Sequence, residues 1–171
     1  MTSCDATTDL AMYREGVEKL LQLRVDQEIT NSFPAHAAVL FEQFFKHAQH
    51  QVRIFCRHLS ASVFDCDFLV QAASAALQRG VTVEILLQDA EPQKSAFFEL
   101  IKKTATARIA VVNSPSARGA TVNFSVMDQR AYRFEEDRDR VKATANMFDP
   151  RIAALLVQKF EQLQLNSTKL A

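Results

Sequence analysis

The sequence contains few of the residues that mark common ligand and metal sites. It has only three glycines, at positions 16, 80 and 119, and they lie too far apart to form a GxGxxG turn or a P-loop. Its cysteines, Cys4, Cys56 and Cys66, are an odd number without a closely spaced pair. This pattern argues against a disulfide framework and against a Cys-based zinc site. We therefore interpret Cys56 and Cys66 as small buried hydrophobic residues.

The sequence also lacks an excess of charge of either sign. Lys plus Arg and Asp plus Glu number twenty each, so no global field attracts nucleic acid or an acidic membrane surface. The N-terminus has no basic start followed by an apolar run, and no segment approaches the ~20 apolar residues of a spanning helix. The sequence therefore predicts a cytoplasmic protein that neither inserts into a membrane nor depends on nucleic acid.

The 171 residues are 48% hydrophobic and include thirteen Phe, which is enough for the core of one domain. Apolar residues at helical spacing predict a helix over residues 9–24, and we assign residues 1–27 to an N-terminal helical extension. We expect the main domain to span residues 28–165 and the tail at 166–171 to fray.

Alternating helical and strand patterns predict an α/β fold with a mixed, mainly parallel sheet flanked by helices. Ser32 is the expected cap of a helix that begins near Pro34, and Gly80 is expected to end a later one. Asp149 and Pro150 are typical of the cap and first position of the last helix. Strands are predicted at 28–30, 52–58, 81–87, 108–112, 121–127, 131–134 and 141–147, and further helices at 64–78 and 93–103.

Two stretches of the sequence resemble the phospholipase D-like superfamily. The first, from Val52 to Asp89, has the superfamily's order of strand, helix, Arg-Gly-Val turn and apolar strand ending near Asp. The second has an Asn-x-x-Asp-Pro turn before a helix that contains Phe-Glu-x-Leu, here at residues 146–163. The resemblance covers about residues 28–165 and implies a single phospholipase D-like half-domain.

The superfamily's catalytic signature, His-x-Lys-x4-Asp, is degenerate in this chain. The resemblance places Thr121 at the nucleophilic histidine, Asn123 at the phosphate-binding lysine and Asp128 at the aspartate. A hydroxyl without a neighbouring base is a poor nucleophile, and Asn carries no charge to neutralise a phosphate. No histidine follows His58, so no shift of the alignment restores the motif.

Acidic residues replace the small residues that the superfamily usually has beyond the aspartate. Its Gly-Ser pair corresponds to Glu135 and Glu136, and a following Asn corresponds to Asp139. Carboxylates facing a phosphodiester would repel it, at roughly 4 kcal/mol for one contact at ~4 Å and an effective dielectric of ~20. The resemblance therefore predicts a vestigial site and no phosphoryl transfer.

Several other polar groups have both a chemical and a structural interpretation. His58 follows a core strand and is a weak candidate for a displaced base, although strand ends are often polar. Asp89 and Asp128 both follow strands and are candidates for a shared magnesium site, but turn and capping roles explain both equally well. His47 and His50 lack a third metal ligand. One basic segment contains Arg130, Arg133, Arg138, Arg140 and Lys142. Because equal numbers of carboxylates lie among these residues, the segment favours a solvated face whose charges pair with one another.

We therefore expect a non-catalytic phospholipase D-like domain that acts through protein binding or self-association, without a cofactor or a metal. The superfamily builds its site from two half-domains, so a single half implies a homodimer formed through the sheet edge and the strand-end face. The alternative is a phosphodiesterase or nuclease with a rewired dimeric site that uses Asp128 and His58. A third class, a small-ligand-binding α/β domain, has no glycine-rich loop to support it.

Overall fold

A computed structural model describes residues 3–89, 95–137 and 142–170, and side chains from residue 9 onward. The described helices are α1 Ser3–Leu23, α2 Pro34–His47, α3 Ala61–Phe64, α4 Asp67–Gln78, α5 Ala96–Lys102, α6 Pro115–Arg118 and α7 Pro150–Leu165. The described strands are β1 Glu28–Asn31, β2 Gln51–Cys56, β3 Thr82–Leu87, β4 Ala107–Val112, β5 Asn123–Met127, β6 Ala131–Asp137, β7 Lys142–Asn146 and β8 Ser167–Lys169.

The described strands form one mixed sheet in the order β1-β7-β6-β5-β2-β3-β4-β8. Only the β2–β3 and β3–β4 pairs are parallel, and the other five pairs are antiparallel. The mixed α/β fold with an N-terminal helix is confirmed, whereas the prediction of a mainly parallel sheet is wrong. Parallel pairing needs a crossover helix, and α4 and α5 provide one only for these pairs.

Helices cover both faces of the central strands, and successive residues pack to opposite sides. Ile54, Ile85 and Ile109 share a level across β2, β3 and β4 and belong to the core cluster under α1, α2, α4 and α5. Phe55, Leu86 and Ala110, one residue further along, belong to the cluster under α7. Because both faces of these strands are buried, nearly all of their residues are apolar.

The helix ends agree with the sequence at two places and differ at a third. Gly80 ends α4 with φ +88°, and Asp149 caps α7 by accepting the backbone N–H groups of Arg151 and Ile152. Ser32 is not the cap of α2, because Phe33 occupies that position and no side chain caps the helix. The first turn of α2 therefore keeps N–H groups without a side-chain acceptor.

The C-terminal tail is ordered through Leu170, so the prediction that it frays is wrong there. Ser167–Lys169 form β8 antiparallel to β4, and the Leu170 N–H donates to the Ile109 carbonyl at 2.9 Å. Leu170 also packs against the core. The tail thus covers an edge of the sheet that would otherwise be unpaired.

Leu86 gives a direct test of the central strand. Its side chain is 1% exposed under α7, so we expect Leu86→Asp to abolish soluble expression because it buries a carboxylate without a partner. Such a cost of several kcal/mol is comparable with the ~5–15 kcal/mol stability of a whole domain. Leu155→Asp is the matched control, since Leu155 on α7 is 59% exposed. Normal yield of the Leu86 variant in soluble lysate would refute the placement of β3.

Candidate functional site

A cavity of about 280 Å³ opens where β2 ends and β5 begins, beneath the start of α2. Its walls combine the aromatic side chains of Phe33, Phe41 and Phe64 with a set of polar residues. The polar set comprises Asn31, Arg57, His58, Ser60, Ser62, Asn123, Arg133 and Glu135. Strands β1, β6, β5 and β2 thus contribute polar groups to a single place.

The register of the sheet explains why these residues meet. Asn123 on β5 lies opposite Glu135 on β6, and Ser125 lies opposite Arg133 two residues further along. Residues at intervals of two share a face of a sheet, so Asn123, Arg133 and Glu135 are presented together on the side that α2 covers. Glu135 is only 8% exposed, although it lies within a charged segment of the kind that usually faces solvent.

Asn123 occupies the centre of a hydrogen-bond network at this site. Its amide nitrogen donates to Glu135 Oε2 at 2.8 Å, and its carbonyl oxygen accepts the Arg57 backbone N–H at 3.1 Å. Arg133 Nη2 lies 3.4 Å from the other Glu135 oxygen. Asn123, which the sequence resemblance assigns to the lysine, is therefore a neutral amide bound to a carboxylate, a group that repels phosphate.

The candidate nucleophiles are poorly arranged for phosphoryl transfer. Thr121 is exposed outside the cavity, and its hydroxyl donates to the Glu136 carbonyl at 3.3 Å rather than to a base. Cys56 lines the cavity, but burial raises the pKa of its thiol to about 12, so it is protonated at neutral pH. His58 also lines the cavity and makes no side-chain hydrogen bond to a described residue.

Three other residues from the predicted vestigial site lie apart from the cavity or outside the described chain. Glu136 is exposed and does not line the cavity, which leaves one of the two glutamates at the position expected for phosphate. Asp139 lies outside the described residues, as do Arg138 and Arg140. Asp128 lies at the far end of β5 from Asn123, about 16 Å away at ~3.3 Å per residue.

Asp128 stabilises the turn between β5 and β6. Its carboxylate accepts three backbone N–H groups, from Gln49 at 2.7 Å and from His50 and Gln51 at 2.9 Å each. Its φ of +48° is a conformation that Asp and Asn tolerate better than most residues. The carboxylate thus joins the β5–β6 turn to the start of β2.

The proposed pairings of Asp128 are therefore wrong. Asp89 lies beyond the end of β3, where its carboxylate accepts from Arg57 Nε at 2.9 Å, and the start of β2 lies at the opposite end of the sheet. Within one chain, Asp128 therefore meets neither Asp89 at a magnesium ion nor His58 at a catalytic step. No cluster of three or more His, Cys, Asp or Glu suited to a metal occurs in the described ranges.

Sequence analysis missed the contributions of Asn31 and Arg133. Asn31 at the end of β1 is 3% exposed and lines the cavity, and Arg133 was assigned to a solvated face although its side chain is 11% exposed. Arg130 likewise donates to the His47 carbonyl at 3.1 Å. Alternate residues of a strand share a face, so Arg133 and Glu135 lie on the same side of β6. The sequence does not show which side is buried, because that depends on the pairing of β6 with β5.

We expect Asp128→Ala to lower the free energy of unfolding by about 1–3 kcal/mol, because three backbone N–H groups lose a charged acceptor. Gln129→Ala is the matched control, since Gln129 has φ +55° but accepts none of these hydrogen bonds, and it should change stability little. Urea denaturation measures both variants. A change below about 0.5 kcal/mol for Asp128→Ala would contradict the turn assignment.

Comparison with known proteins relates this geometry to a fold. The structure is similar to Nuc from Salmonella typhimurium, a phospholipase D family member, with a TM-score of 0.61 at 13% identity over 85% of this chain and 97% of that one. NucT from Helicobacter pylori gives 0.62 at 10% identity over 84% and 100%. TrmBL2, an archaeal chromatin protein whose structure shows a mode of DNA binding, gives 0.60 at 14% identity over 97% and 64%.

These similarities to solved structures show the fold of the chain. A comparison with curated protein sequences found no significant match. Along the described chain, no helix has the length and apolar character needed to cross a membrane. The phospholipase D-like fold predicted from the sequence is confirmed. Residues 33–169 match the model of the family described as "Domain of unknown function (DUF7931)", so this chain belongs to the DUF7931 family.

Proposed function

We propose that this chain is a non-catalytic phospholipase D-like domain that acts through self-association or protein binding. The observation that carries the proposal is the 2.8 Å hydrogen bond from Asn123 to the buried Glu135 carboxylate. Phosphodiester hydrolysis needs positive charge where negative charge develops in the transition state. At this position the chain has a neutral amide that already donates a hydrogen bond to a carboxylate.

Arg133 does not restore the missing charge. Its guanidinium lies 3.4 Å from the Glu135 carboxylate, so the two opposite charges largely cancel and attract a phosphodiester little. Arg57 is also paired, with Asp89 at 2.9 Å. The two arginines at the cavity are therefore each compensated by a carboxylate, which weakens any attraction for a dianionic or monoanionic phosphate.

The alternative function is a phosphodiesterase with a rewired site, and His58 is the observation in its favour. This histidine lines the same cavity as Asn123 and Arg133, where it could attack phosphorus or act as a base. Asp128, the other residue of this alternative, lies at the other end of β5 within one chain, so only a second copy could bring it to this cavity. Hydrolysis of bis(p-nitrophenyl) phosphate that His58→Ala abolishes, with or without Mg²⁺ or Mn²⁺, would establish it.

We expect wild type to show no hydrolysis of bis(p-nitrophenyl) phosphate above buffer, with or without these metals. The double variant Thr121→His/Asn123→Lys should also remain inactive, because the new lysine would pair with Glu135 instead of phosphate. Adding Glu135→Ser removes that partner and should raise the rate above that of the double variant. Substantial hydrolysis by the double variant alone would show that Glu135 does not block the phosphate position.

Self-association is the second part of the proposal, through the sheet edge and the face at the ends of the strands. Phe33 lies at the mouth of the cavity and is 63% exposed, an apolar group that a second copy could cover. A homodimer in this arrangement would place two copies of the cavity close to a two-fold axis.

We expect light scattering at micromolar concentration to give twice the 19.2 kDa mass of the chain. Phe33→Asp should shift the mass toward the monomer, because a charge at the interface must be desolvated. Leu165→Asp is the control, since Leu165 is 90% exposed near the end of α7 and lies away from the cavity. A monomeric wild type would remove self-association from the proposal.

A further inference from the structure

The core beneath α7 is incompletely covered at one place. Four partly buried apolar residues pack against this core, and all four line a single pocket of about 530 Å³ between α7, α6 and the start of β5. They are Val122, Phe134, Leu156 and Leu163. We call this opening the α7 pocket. Because the exposed apolar surface of this core is gathered around one opening, an apolar group that enters it completes the core.

The floor of the α7 pocket is aromatic. The rings of Phe55 and Phe124 lie 5.3 Å apart between centroids, and Phe134 lies opposite Phe124 in the β5–β6 register. Successive residues of a strand point to opposite faces, so Phe124 and Phe134 lie on the other face of the sheet from Asn123 and Glu135. Among the described residues, the α7 pocket and the cavity share only Phe55 and Phe124 in their walls.

The wall of the pocket that faces α7 is held in place by hydrogen bonds. The amide nitrogen of the buried Gln88 donates to the Ala117 carbonyl at 2.9 Å and to the Ala120 carbonyl at 2.8 Å. The Asn113 N–H donates to the Asn166 carbonyl, at the end of α7, at 2.9 Å. These bonds fix the loop around α6 relative to β3 and α7. The pocket is therefore formed before any ligand enters, as is usual for small-molecule sites.

The rim of the α7 pocket is positively charged. Lys159 is exposed, and it is the only charged side chain among the described residues that line the pocket. It makes no hydrogen bond or ion pair with a described residue. Its neighbours three and four positions away on α7 are not acidic, and they are Leu155, Leu156, Gln162 and Leu163. The ammonium group is thus available to a negative charge on a ligand.

Neutral hydrogen-bonding groups adjoin this lysine. The hydroxyl oxygens of Ser114 and Ser116 lie 2.7 Å apart, so one hydroxyl donates to the other and the second keeps a hydrogen for another acceptor. The exposed side chains of Gln162 and Asn166 also line the pocket and carry amide donors. Together with Lys159, these groups provide several donors to the oxygens of one carboxylate.

The chemistry of the α7 pocket favours an alkyl chain with one negative charge. Its volume lies within the roughly 300–1,000 Å³ typical of ligand pockets. A peptide fits poorly, because its amide groups would be buried against aromatic rings without partners. A single lysine matches the one charge of a carboxylate better than the two charges of a phosphate monoester.

We propose that the α7 pocket binds a medium-chain fatty acid, with the carboxylate at Lys159 and the alkyl chain over Phe124, Phe134 and Leu163. This site goes beyond the proposed function of the chain, since it lies on the opposite face of the sheet from the cavity. Hydrolysis of a phosphodiester by the wild type would overturn the non-catalytic function and leave the fatty-acid site unaffected.

Calorimetric titration of the full chain with sodium decanoate, below the concentration at which it forms micelles, tests the proposal. We expect saturable 1:1 binding and a rise in melting temperature. Shorter acids should bind about fourfold more weakly for each CH₂ removed, because less apolar surface is buried. Decylamine, which carries the opposite charge, should bind at least tenfold more weakly. No saturable heat with decanoate, together with an unchanged melting temperature, would overturn the proposal.

The role of Lys159 is tested by a pair of variants with the same change in charge. Lys159→Gln should weaken decanoate about three- to fivefold, the size expected for an exposed ion pair, and Lys159→Arg should retain the wild-type affinity. Gln158→Glu is the matched control, since Gln158 is the exposed neighbour on α7 and does not line the pocket. Unchanged affinity in Lys159→Gln, or equal binding of decylamine by the wild type, would contradict the assigned position of the carboxylate.

A third variant tests the position of the alkyl chain. Val122→Trp fills the pocket and should weaken decanoate at least tenfold without lowering the melting temperature of the free protein. Thr121→Trp is the control, because Thr121 is exposed and lines neither the α7 pocket nor the cavity. Wild-type affinity in a folded Val122→Trp variant would overturn the site. A dimer that Val122→Trp converts to a monomer, in a protein that does not bind decanoate, would identify a second copy as the occupant and also overturn the proposal.

Discussion

The hydrogen bond between Asn123 and Glu135 joins β5 to β6 at the position to which the sequence resemblance assigns phosphate binding. A carboxylate that is 8% exposed needs donors, and here Asn123 and Arg133 supply them. Since these donors are engaged with Glu135, they are not available to a phosphodiester in the way that a free lysine would be. The charge balance of the whole cavity depends on this contact.

A second polar contact lies at the opposite end of β5 from the cavity. Asp128 fixes the β5–β6 turn to the start of β2, about 16 Å from Asn123 at ~3.3 Å per residue. The residue that the resemblance assigns to the motif's aspartate thus has a structural role. The core under α7 and the core under α2 lie on opposite faces of the sheet. A scaffold of this kind can retain its fold while the residues at one end of its strands change.

Much of the fold could be predicted because its elements have local signals. The apolar run of β3, the glycine after α4, and the Asp-Pro start of α7 each follow from periodicity or capping. The parallel half of the sheet was predicted by the alternation of strands and helices. The antiparallel half was not, because its pairing follows from the turn at Asp128 and Gln129, where two positive φ values reverse the chain.

The composition of the cavity was less predictable, for a related reason. Arg133 and Glu135 belong to a charged segment that is typical of solvent-exposed chain, and only pairing with β5 makes their face an interior one. Ser167–Lys169 have no apolar pattern at all, and their strand depends on an unpaired edge of β4. Asn31, on β1, is distant in sequence from Arg133 and Glu135. Long-range register, which has no local signature, determines which polar residues meet.

Titration with orthovanadate, a mimic of the transition state at phosphorus, is the most direct measurement of the central claim. A site built for phosphoryl transfer binds such mimics far more tightly than its substrates. We expect no saturable heat with the wild-type chain and measurable binding once Asn123→Lys and Glu135→Ser are combined. Micromolar binding of vanadate by the wild type would contradict the conclusion that the Asn123–Glu135 contact closes the phosphate position.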